Sequence, residues 1–191
     1  MRDGSIDERI RTAVIGEAEL PAIVIVDHDP AWAGRFRREE ASIQRALGAA
    51  ALRIEHIGST AVPGLAAKPI VDILVVVDNA ADEDSYVPAL QNAGYGLRIR
   101  EPDFNEHRML RNGEKDVHVH VYPPDSPEID RYLLLRDHLR VNASERALYA
   151  RAKRELAAET WPTIQHYSDA KTEVVEAIIA RATEAQSLNQ N

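Results

Sequence analysis

The feature that most constrains the fold of this chain is an apolar run from Ile70 to Val77, which contains a single charged residue, Asp72. The β-branched residues of the run predict a central strand of a sheet. A carboxylate inside such a strand is costly to bury unless it is paired or binds a ligand. The run therefore predicts a strand that carries a functional residue, and the partners of Asp72 have to be sought elsewhere in the chain.

The composition is that of an ordinary globular protein and excludes several classes. The 191 residues suffice for one domain with a substantial core, and a net charge of −8 argues against broad nucleic-acid binding. The absence of cysteine excludes disulfides, thiolate zinc sites and cysteine nucleophiles. With neither a signal-peptide pattern nor an apolar run of membrane-spanning length, we expect a cytoplasmic protein without a membrane partner.

The order of the predicted elements indicates one α+β domain. We expect residues 1–20 to be a variable N-terminal lead-in, residues 21–185 to be the domain, and residues 186–191 to be a polar tail. Because a mixed sheet comes first and helices follow, the fold should have flanking helices and a helical C-terminal part. Strands are predicted at 23–26, 52–57, 70–77, 95–100, 107–111 and 116–122, helices at 31–47, 82–93, 128–141, 144–160 and 168–184, and one or two helical turns at 60–68.

Gly58 and Ser59 lie directly after a predicted strand, and twelve residues, 60–71, separate them from Asp72 on the next strand. Small residues with free backbone N–H groups can cradle a phosphate. A turn that orients phosphates beside a carboxylate that holds Mg²⁺ is the layout that phosphoryl or nucleotidyl transfer requires. Two-metal catalysis would need a second acid two residues after Asp72, where Leu74 stands. Gly58 and Ser59 also fit an ordinary turn that binds no ligand.

His118 and His120 alternate with three valines, so both imidazoles take the same face of the predicted strand. If this strand lies near Asp72, the three residues form a two-histidine, one-carboxylate group, which we call the Asp–His cluster. Such a group could bind one metal ion, or one imidazole could act as an acid or base. The alternative is a half-exposed strand with histidines on its solvated side.

Four further residues are candidates for phosphate binding, and each also has a structural interpretation. His56 and Thr60 flank the Gly58–Ser59 turn, and Lys68 precedes the central strand. Arg136 and Arg140 lie one helical turn apart and could form an anion clamp, although they also fit a solvated helix face. Residues with weaker claims, or with no evident partner in the sequence, are His28, His107, His138, His166, Lys153 and Lys171.

Several motifs of the chain resemble the GrpB family. They occupy residues 28–32, 53–65, 68–73, 118–121 and 135–140, and the most specific is His-Ile-Gly-Ser-Thr-x-Val-Pro-Gly-Leu, which begins at His56. The likeness extends over roughly residues 23–182 and implies the nucleotidyltransferase fold, in relatives that occur alone or fused behind dephospho-CoA kinase. The resemblance places Gly58, Ser59 and Asp72 on the superfamily's Gly-Ser and Asp-x-Asp motifs, with Leu74 in the second acidic position.

Three functional hypotheses follow. The first is a nucleotidyltransferase-like enzyme that binds a nucleotide or phosphorylated small molecule and transfers a nucleotidyl or phosphoryl group. The phosphates of its ligand would be bound by the Gly58–Ser59 turn, Lys68 and Arg136. The Asp–His cluster would provide catalysis and hold a divalent metal, for which we expect Mg²⁺ or Mn²⁺ in preference to Zn²⁺. The second is a non-catalytic nucleotide- or anion-binding accessory module, for example one linked to coenzyme A metabolism. The third is a single-metal hydrolase. The oligomeric state is left open.

Overall fold

The computed structural model of the chain describes residues 6–16 and 23–189. Within them the strands form one five-stranded sheet, and helices flank it. The strands are β1 (Arg53–Ile57), β2 (Val71–Val76), β3 (Tyr95–Glu101), β4 (His107–Asn112) and β5 (Val117–Tyr122). The helices are α1 (Ile6–Ala13), α2 (Ala31–Leu47), α3 (Val87–Asn92), α4 (Pro127–Val141), α5 (Ala143–Ala157), α6 (Ile164–Ala170) and α7 (Thr172–Asn189).

The sheet is mixed and has the order β1–β2–β5–β4–β3. Strands β2 and β5 pair in parallel, and the other neighbours are antiparallel. The strand of the apolar run, β2, is an interior strand, and every one of its residues except Asp72 is buried. The prediction of a strand inside the sheet is thus confirmed, with β5 at the middle position.

Helices cover both faces of the sheet. On one face, Ile73, Val75 and Val119 pack with α2 and α3 in the largest apolar cluster. On the other face, Leu74 and Tyr122 belong to a smaller cluster with Ile129 of α4. A third cluster joins α4, α5 and α7 to the segment that follows β1, through Val62, Leu65, Leu139, Tyr149 and Ile178. The C-terminal helices are therefore fixed over the end of β1, where the Gly58–Ser59 turn lies.

The turn between β4 and β5 fixes the register of the histidine strand. The side-chain Oδ1 of Asn112 accepts hydrogen bonds from the backbone N–H groups of Asp116 and Val117, each at 3.1 Å. An asparagine that binds the backbone a few residues on is a typical way to close a turn. Asn112 therefore closes the turn between β4, which ends at this residue, and β5, which begins at Val117.

Three predicted elements differ in the structure. The strand expected at 23–26 is reduced to an isolated bridge between Val26 and Ala67, and the turns expected at 60–68 are a single 3₁₀ turn, Ser59–Ala61. The helix expected at 82–93 is divided into a 3₁₀ turn, Glu83–Ser85, and α3. Tyr86 leaves the helical region there, with φ −140°, and a proline follows in the first turn of α3.

The two ends of the chain also differ from expectation. Within the lead-in, α1 is held by an ion pair of 3.0 Å between Arg9 and Asp169, while residues 1–5 and 17–22 lie outside the described residues. The helix expected at 168–184 is two helices, α6 and α7, and α7 continues to Asn189 through most of the predicted tail. Residues 190–191 are not among those described. None of the described helices combines the length and apolarity needed to cross a bilayer.

Candidate functional site

The parallel pairing of β2 with β5 brings the Asp–His cluster together. In the register of the two strands Asp72 is the partner of His118 and Leu74 is the partner of His120, so both imidazoles share a face with Asp72. Oδ1 of Asp72 lies 3.4 Å from Nδ1 of His118 and 3.5 Å from Nε2 of His120. One ligand atom from each of the three residues lies within 4.8 Å of the others, so the group could hold a metal ion.

The carboxylate of Asp72 is kept in its charged form. Burial opposes the charge, but hydrogen bonding and electrostatic attraction from His118 and His120 outweigh it and hold the pKa of Asp72 far below its ordinary value. An ionised carboxylate between two imidazoles is a site for a cation, whether a shared proton or a metal ion.

Gly58 forms the wall beside this carboxylate. Its φ of 68° lies in the left-handed region, where L-residues other than glycine are disfavoured. A Cβ at this position would also lie 2.5 Å from Oδ2 and 3.1 Å from Cβ of Asp72. Both the conformation and the close approach require glycine, which explains the turn and ties it to Asp72.

Ser59 is bound from the far side by a buried lysine. Nζ of Lys153, on α5, donates to Oγ of Ser59 at 2.8 Å and also to the carbonyl oxygen of Ala66. The ammonium lies 4.4 Å from the ring centroid of Tyr149, and the lysine is only 3% exposed. A hydroxyl and an amine thus meet at the Gly58–Ser59 turn, next to Asp72.

Two further lysines lie against the buried ring of Tyr167. Nζ of Lys68, from the segment before β2, is 5.3 Å from the ring centroid, and Nζ of Lys171, between α6 and α7, is 4.9 Å from it. With Lys153 they form a group that we call the lysine cluster. Asp72 is near enough to act on the pKa of all three amines, so the lysine cluster adjoins the Asp–His cluster.

The lysine cluster is short of negative charge. Burial is the main cause that lowers the pKa of Lys153 to about 6 and that of Lys171 to about 8, and repulsion between neighbouring cations lowers both further. Burial also lowers the pKa of Lys68. Buried amines that repel one another gain from a bound anion, because the anion favours their charged forms. The arrangement is therefore suited to a phosphate-sized group.

His56 and Thr60 support the turn from within the core. Oγ1 of Thr60 donates to the carbonyl of Ile70 at 3.1 Å and accepts from Nε2 of His56, also at 3.1 Å. The imidazole stacks on Phe36 at 4.7 Å between ring centroids, and burial lowers the pKa of His56 to about 4. Both side chains are buried, so their contacts hold the turn against β2.

Arg136 lies at the outer edge of β1. Its guanidinium contacts the carboxylates of Glu55 and Asp137, each at 2.7 Å, and the carbonyl oxygen of His56 at 3.1 Å. Arg136 and Arg140 line an open cavity of about 490 Å³ there, together with Phe36. These contacts lie at the β1 edge and not at the Gly58–Ser59 turn, so the structure does not join the predicted clamp to the lysine cluster.

Leu74 occupies the position where a second acid would stand. Its side chain is fully buried and packs with Ile57, Val76, Tyr122 and Ile129 beneath α4. The position is thus part of the apolar core. A carboxylate there would be buried among apolar side chains, and its neighbour in the pairing with β5, His120, already contacts Asp72 and His107.

The structure adds four residues that the sequence did not assign to the site. Lys153 and Lys171 had weak claims because a lysine on a helix is usually exposed; Lys153 is buried because α5 packs against the segment that follows β1, and Lys171 is half-buried against Tyr167. His107 and Glu101 lie on β4 and β3, and they extend the Asp–His cluster through hydrogen bonds of 3.0 Å and 2.8 Å. No local pattern marks these residues, since their partners are distant in the sequence.

Comparisons with known sequences agree with the motifs. The model of a family described as GrpB protein matches residues 22–181 of the chain. A UPF0157 protein from Halalkalibacterium halodurans is 48% identical over 178 residues, which cover 92% of this chain and 91% of that protein. A dephospho-CoA kinase from Mycobacterium leprae is 28% identical over 176 residues, which cover 77% of this chain and 43% of the kinase.

Comparisons with solved structures agree with the fold. The conserved protein GrpB from Enterococcus faecalis superposes with a TM-score of 0.73 and 32% identity, over 85% of this chain and 99% of that one. The Cid1 poly(U) polymerase bound to Mg 3′-dATP superposes with a TM-score of 0.50 and 13% identity, over 86% of this chain and 51% of that one. At so low an identity the second likeness concerns the fold alone. The predicted α+β fold of nucleotidyltransferase type is confirmed.

Proposed function

This chain belongs to the GrpB family, and we propose that it binds a nucleotide or a phosphorylated small molecule, with a divalent metal, where the Gly58–Ser59 turn meets the two clusters. The observation that carries the proposal is that a carboxylate, two imidazoles, one buried lysine and two half-buried lysines lie at and around this turn. Placing three partly desolvated amines near one another has little structural benefit, because each loses hydration and repels the others.

The phosphates would be held by Ser59 and the lysine cluster. The hydroxyl of Ser59 already accepts a hydrogen bond from Lys153 and can donate to a phosphate oxygen. Ammonium groups are strong phosphate ligands, and their hydrogen bonds to anions are stronger than neutral ones. Lys68 and Lys171 both lie against the Tyr167 ring and add positive charge, and Asp72 is the carboxylate that raises their pKa.

The metal would be held by the Asp–His cluster. A bound divalent ion would neutralise phosphate charge and polarise a phosphoryl oxygen. The ionised state of Asp72 and the orientation of both imidazoles toward its Oδ1 suit such an ion. Because Leu74 is buried in the core, the proposal includes one metal at this cluster.

A thermal-shift experiment tests this proposal. ATP, GTP, CTP, UTP and tripolyphosphate are each titrated into the protein, with and without Mn²⁺, while the melting temperature is measured. A ligand that binds only the folded protein raises its stability by about 2.7 kcal/mol at one hundred times its Kd. We expect a rise with at least one nucleotide, a loss of that rise in Lys68→Met and Lys171→Met, and a loss of only its Mn²⁺-dependent part in Asp72→Asn.

The exposed Lys115→Met provides the matched control, because it removes a positive charge away from the clusters. It should retain the full shift. If no nucleotide and no polyphosphate raises the melting temperature at millimolar concentration, the binding proposal is wrong. If Lys68→Met, Lys171→Met and Lys115→Met all retain the full thermal shift, the ligand does not bind at the lysine cluster.

A second candidate function, the non-catalytic accessory module, is favoured by the buried Leu74. It also accords with the likeness to a dephospho-CoA kinase, more than half of which lies outside the match. Incubation with labelled nucleoside triphosphates separates the two. Release of pyrophosphate or phosphate that is lost in Asp72→Ala would support an enzyme, either the transferase or the single-metal hydrolase. Binding without turnover over many hours would support the accessory module.

A further inference from the structure

A chain of hydrogen bonds leads from the Asp–His cluster across the sheet. Nδ1 of His120 lies 3.0 Å from Nε2 of His107, and Nδ1 of His107 lies 2.8 Å from Oε2 of Glu101. The His107 ring is 5% exposed and stacks between His120 and Tyr122, with centroid distances of 5.3 Å and 4.7 Å. Three strands, β3, β4 and β5, thus supply one continuous row of polar groups that ends at Asp72.

The direction of these hydrogen bonds sets which nitrogen of His120 is free. An ionised Glu101 can only accept, so Nδ1 of His107 carries the hydrogen in that bond. In a neutral His107 ring, Nε2 is then an acceptor, and Nδ1 of His120 must donate to it. Nε2 of His120 is the nitrogen that faces Asp72, at 3.5 Å from its Oδ1. An imidazole nitrogen and a carboxylate oxygen in this arrangement can share a proton or, in its place, bind one metal ion together.

We propose that the Asp–His cluster is a site for an imidazole-binding divalent transition metal, such as Zn²⁺, in preference to Mg²⁺, and that His107 and Glu101 are its positioning residues. The inference rests on the metal part of the proposed function and names its metal class. Two imidazole nitrogens and one carboxylate oxygen are ligands of Zn²⁺, Mn²⁺ and Fe²⁺ sites, whereas Mg²⁺ takes oxygen ligands in near-octahedral geometry. A histidine ligand whose other nitrogen is hydrogen-bonded is the usual arrangement in such sites.

Competition titration with a chromogenic chelator measures this preference directly. Tag-free protein is stripped with EDTA, dialysed, and titrated with Zn²⁺ and, in a separate experiment, with Mg²⁺. We expect one equivalent of Zn²⁺ to bind. Its affinity should be unchanged when Mg²⁺ is present at about 1 mM. His118→Ala and His120→Ala should abolish this binding.

Two substitutions at His107 separate its hydrogen bonds from its packing. His107→Phe keeps an aromatic ring against Tyr122 but removes both hydrogen bonds. His107→Gln retains a polar group near the position of Nε2 and should restore part of the affinity. From the usual effect of such supporting residues, we expect about a 10- to 100-fold loss of Zn²⁺ affinity in His107→Phe and a smaller loss in Glu101→Gln.

His166→Phe is the matched control, because His166 bonds Thr163 and lies outside the cluster. It should bind Zn²⁺ like the unaltered protein. The proposal is overturned if the unaltered protein binds no Zn²⁺, if Mg²⁺ displaces Zn²⁺, or if His107→Phe and His166→Phe bind Zn²⁺ equally well. The nucleotide thermal shift, repeated on the same samples in EDTA, distinguishes these outcomes from a failure of phosphate binding.

Discussion

At the scale of single residues, the site depends on how closely the backbone approaches Asp72. A Cβ on Gly58 would lie 2.5 Å from Oδ2 of Asp72, while the imidazoles of β5 contact the other oxygen, Oδ1. The motif residues Gly58 and Asp72 are therefore joined by contact and not only by spacing. The Gly-Ser pair in the sequence marks the turn that approaches Asp72, although the same two residues are found in many ordinary turns.

Replacing Gly58 by alanine should remove metal binding as well as stability. The positive φ alone should cost roughly 1–2 kcal/mol of the free energy of unfolding. The new Cβ would also displace the carboxylate of Asp72, which lies 2.5 Å away. We expect Gly58→Ala to lose stability in urea unfolding and to lose Zn²⁺ binding in chelator competition.

Gly64→Ala is the control for this prediction, because Gly64 has a φ of 79° but no heavy atom within 4 Å of the added Cβ. It should lose similar stability and keep its metal affinity. Equal metal affinities in the two variants would show that the contact with Asp72 has no functional consequence.

At the scale of elements, β2 presents two environments on one face. Asp72 lies at the open end of this face, where it is 29% exposed, and Leu74 lies two residues further under α4. Asp72 can be the one charged residue of the apolar run because α4 does not cover its end of β2. The packing of α4, and not the strand itself, decides that a second acid is absent from the site.

Introducing the missing acid should destabilise the protein instead of adding a ligand. Leu74→Asp would bury a carboxylate among Ile57, Val76, Tyr122 and Ile129, beside His120, which is already bonded to His107. We expect a loss of at least ~3 kcal/mol in the free energy of unfolding, measured with urea at neutral pH. Leu74→Met, which conserves volume, should cost less than about 1.5 kcal/mol. A Leu74→Asp variant as stable as the unaltered protein would mean that α4 does not seal this position.

At the scale of the whole molecule, segments far apart in the sequence meet around one turn. Lys68 precedes β2, Lys153 lies on α5, and Lys171 follows α6. The apolar cluster that joins α4, α5 and α7 to the segment after β1 fixes these amines in place. Removing these amines from water costs stability, so the lysine cluster does not serve the stability of the fold.

The pH dependence of stability should reveal the buried amine of Lys153. Its pKa is about 6 in the folded protein against an ordinary value of 10.5. Between these two values the unfolded chain binds more protons than the folded one, so the free energy of unfolding should rise with pH. The contribution of this lysine is up to about 1.4 kcal/mol per pH unit, and it disappears below the folded pKa, where both states are protonated.

Urea unfolding at pH 7, 8 and 9 measures this dependence. Lys153→Met should be more stable than the unaltered protein at pH 7, and the difference should shrink toward pH 9. The exposed Lys115→Met should follow the unaltered protein at every pH. Parallel curves for Lys153→Met and the unaltered protein would show that the amine is solvated in the folded state.

Helix α2 shows how much of the fold local signals could predict. Its predicted bounds, 31–47, are those observed, because Asp29 and Pro30 mark its start and Gly48 marks its end. The predicted helix at 82–93 was wrong in its middle, since the effect of a proline and of the buried Tyr86 depends on packing. Strands β1, β2 and β5 were placed within two residues of their observed ends by their apolar patterns.

The sequence by itself determined the family, the α+β fold, the turn at Gly58 and Ser59, and the strand that carries Asp72. These follow from short-range patterns, because a turn, a strand and their spacing are properties of neighbouring residues. Only the tertiary structure decided that the histidines of β5 face Asp72, that Leu74 is sealed under α4, and that His107 and Lys153 join the site. Such contacts depend on strand order and helix packing, which bring together residues far apart in the sequence, such as Ser59 and Lys153, which are 94 positions apart.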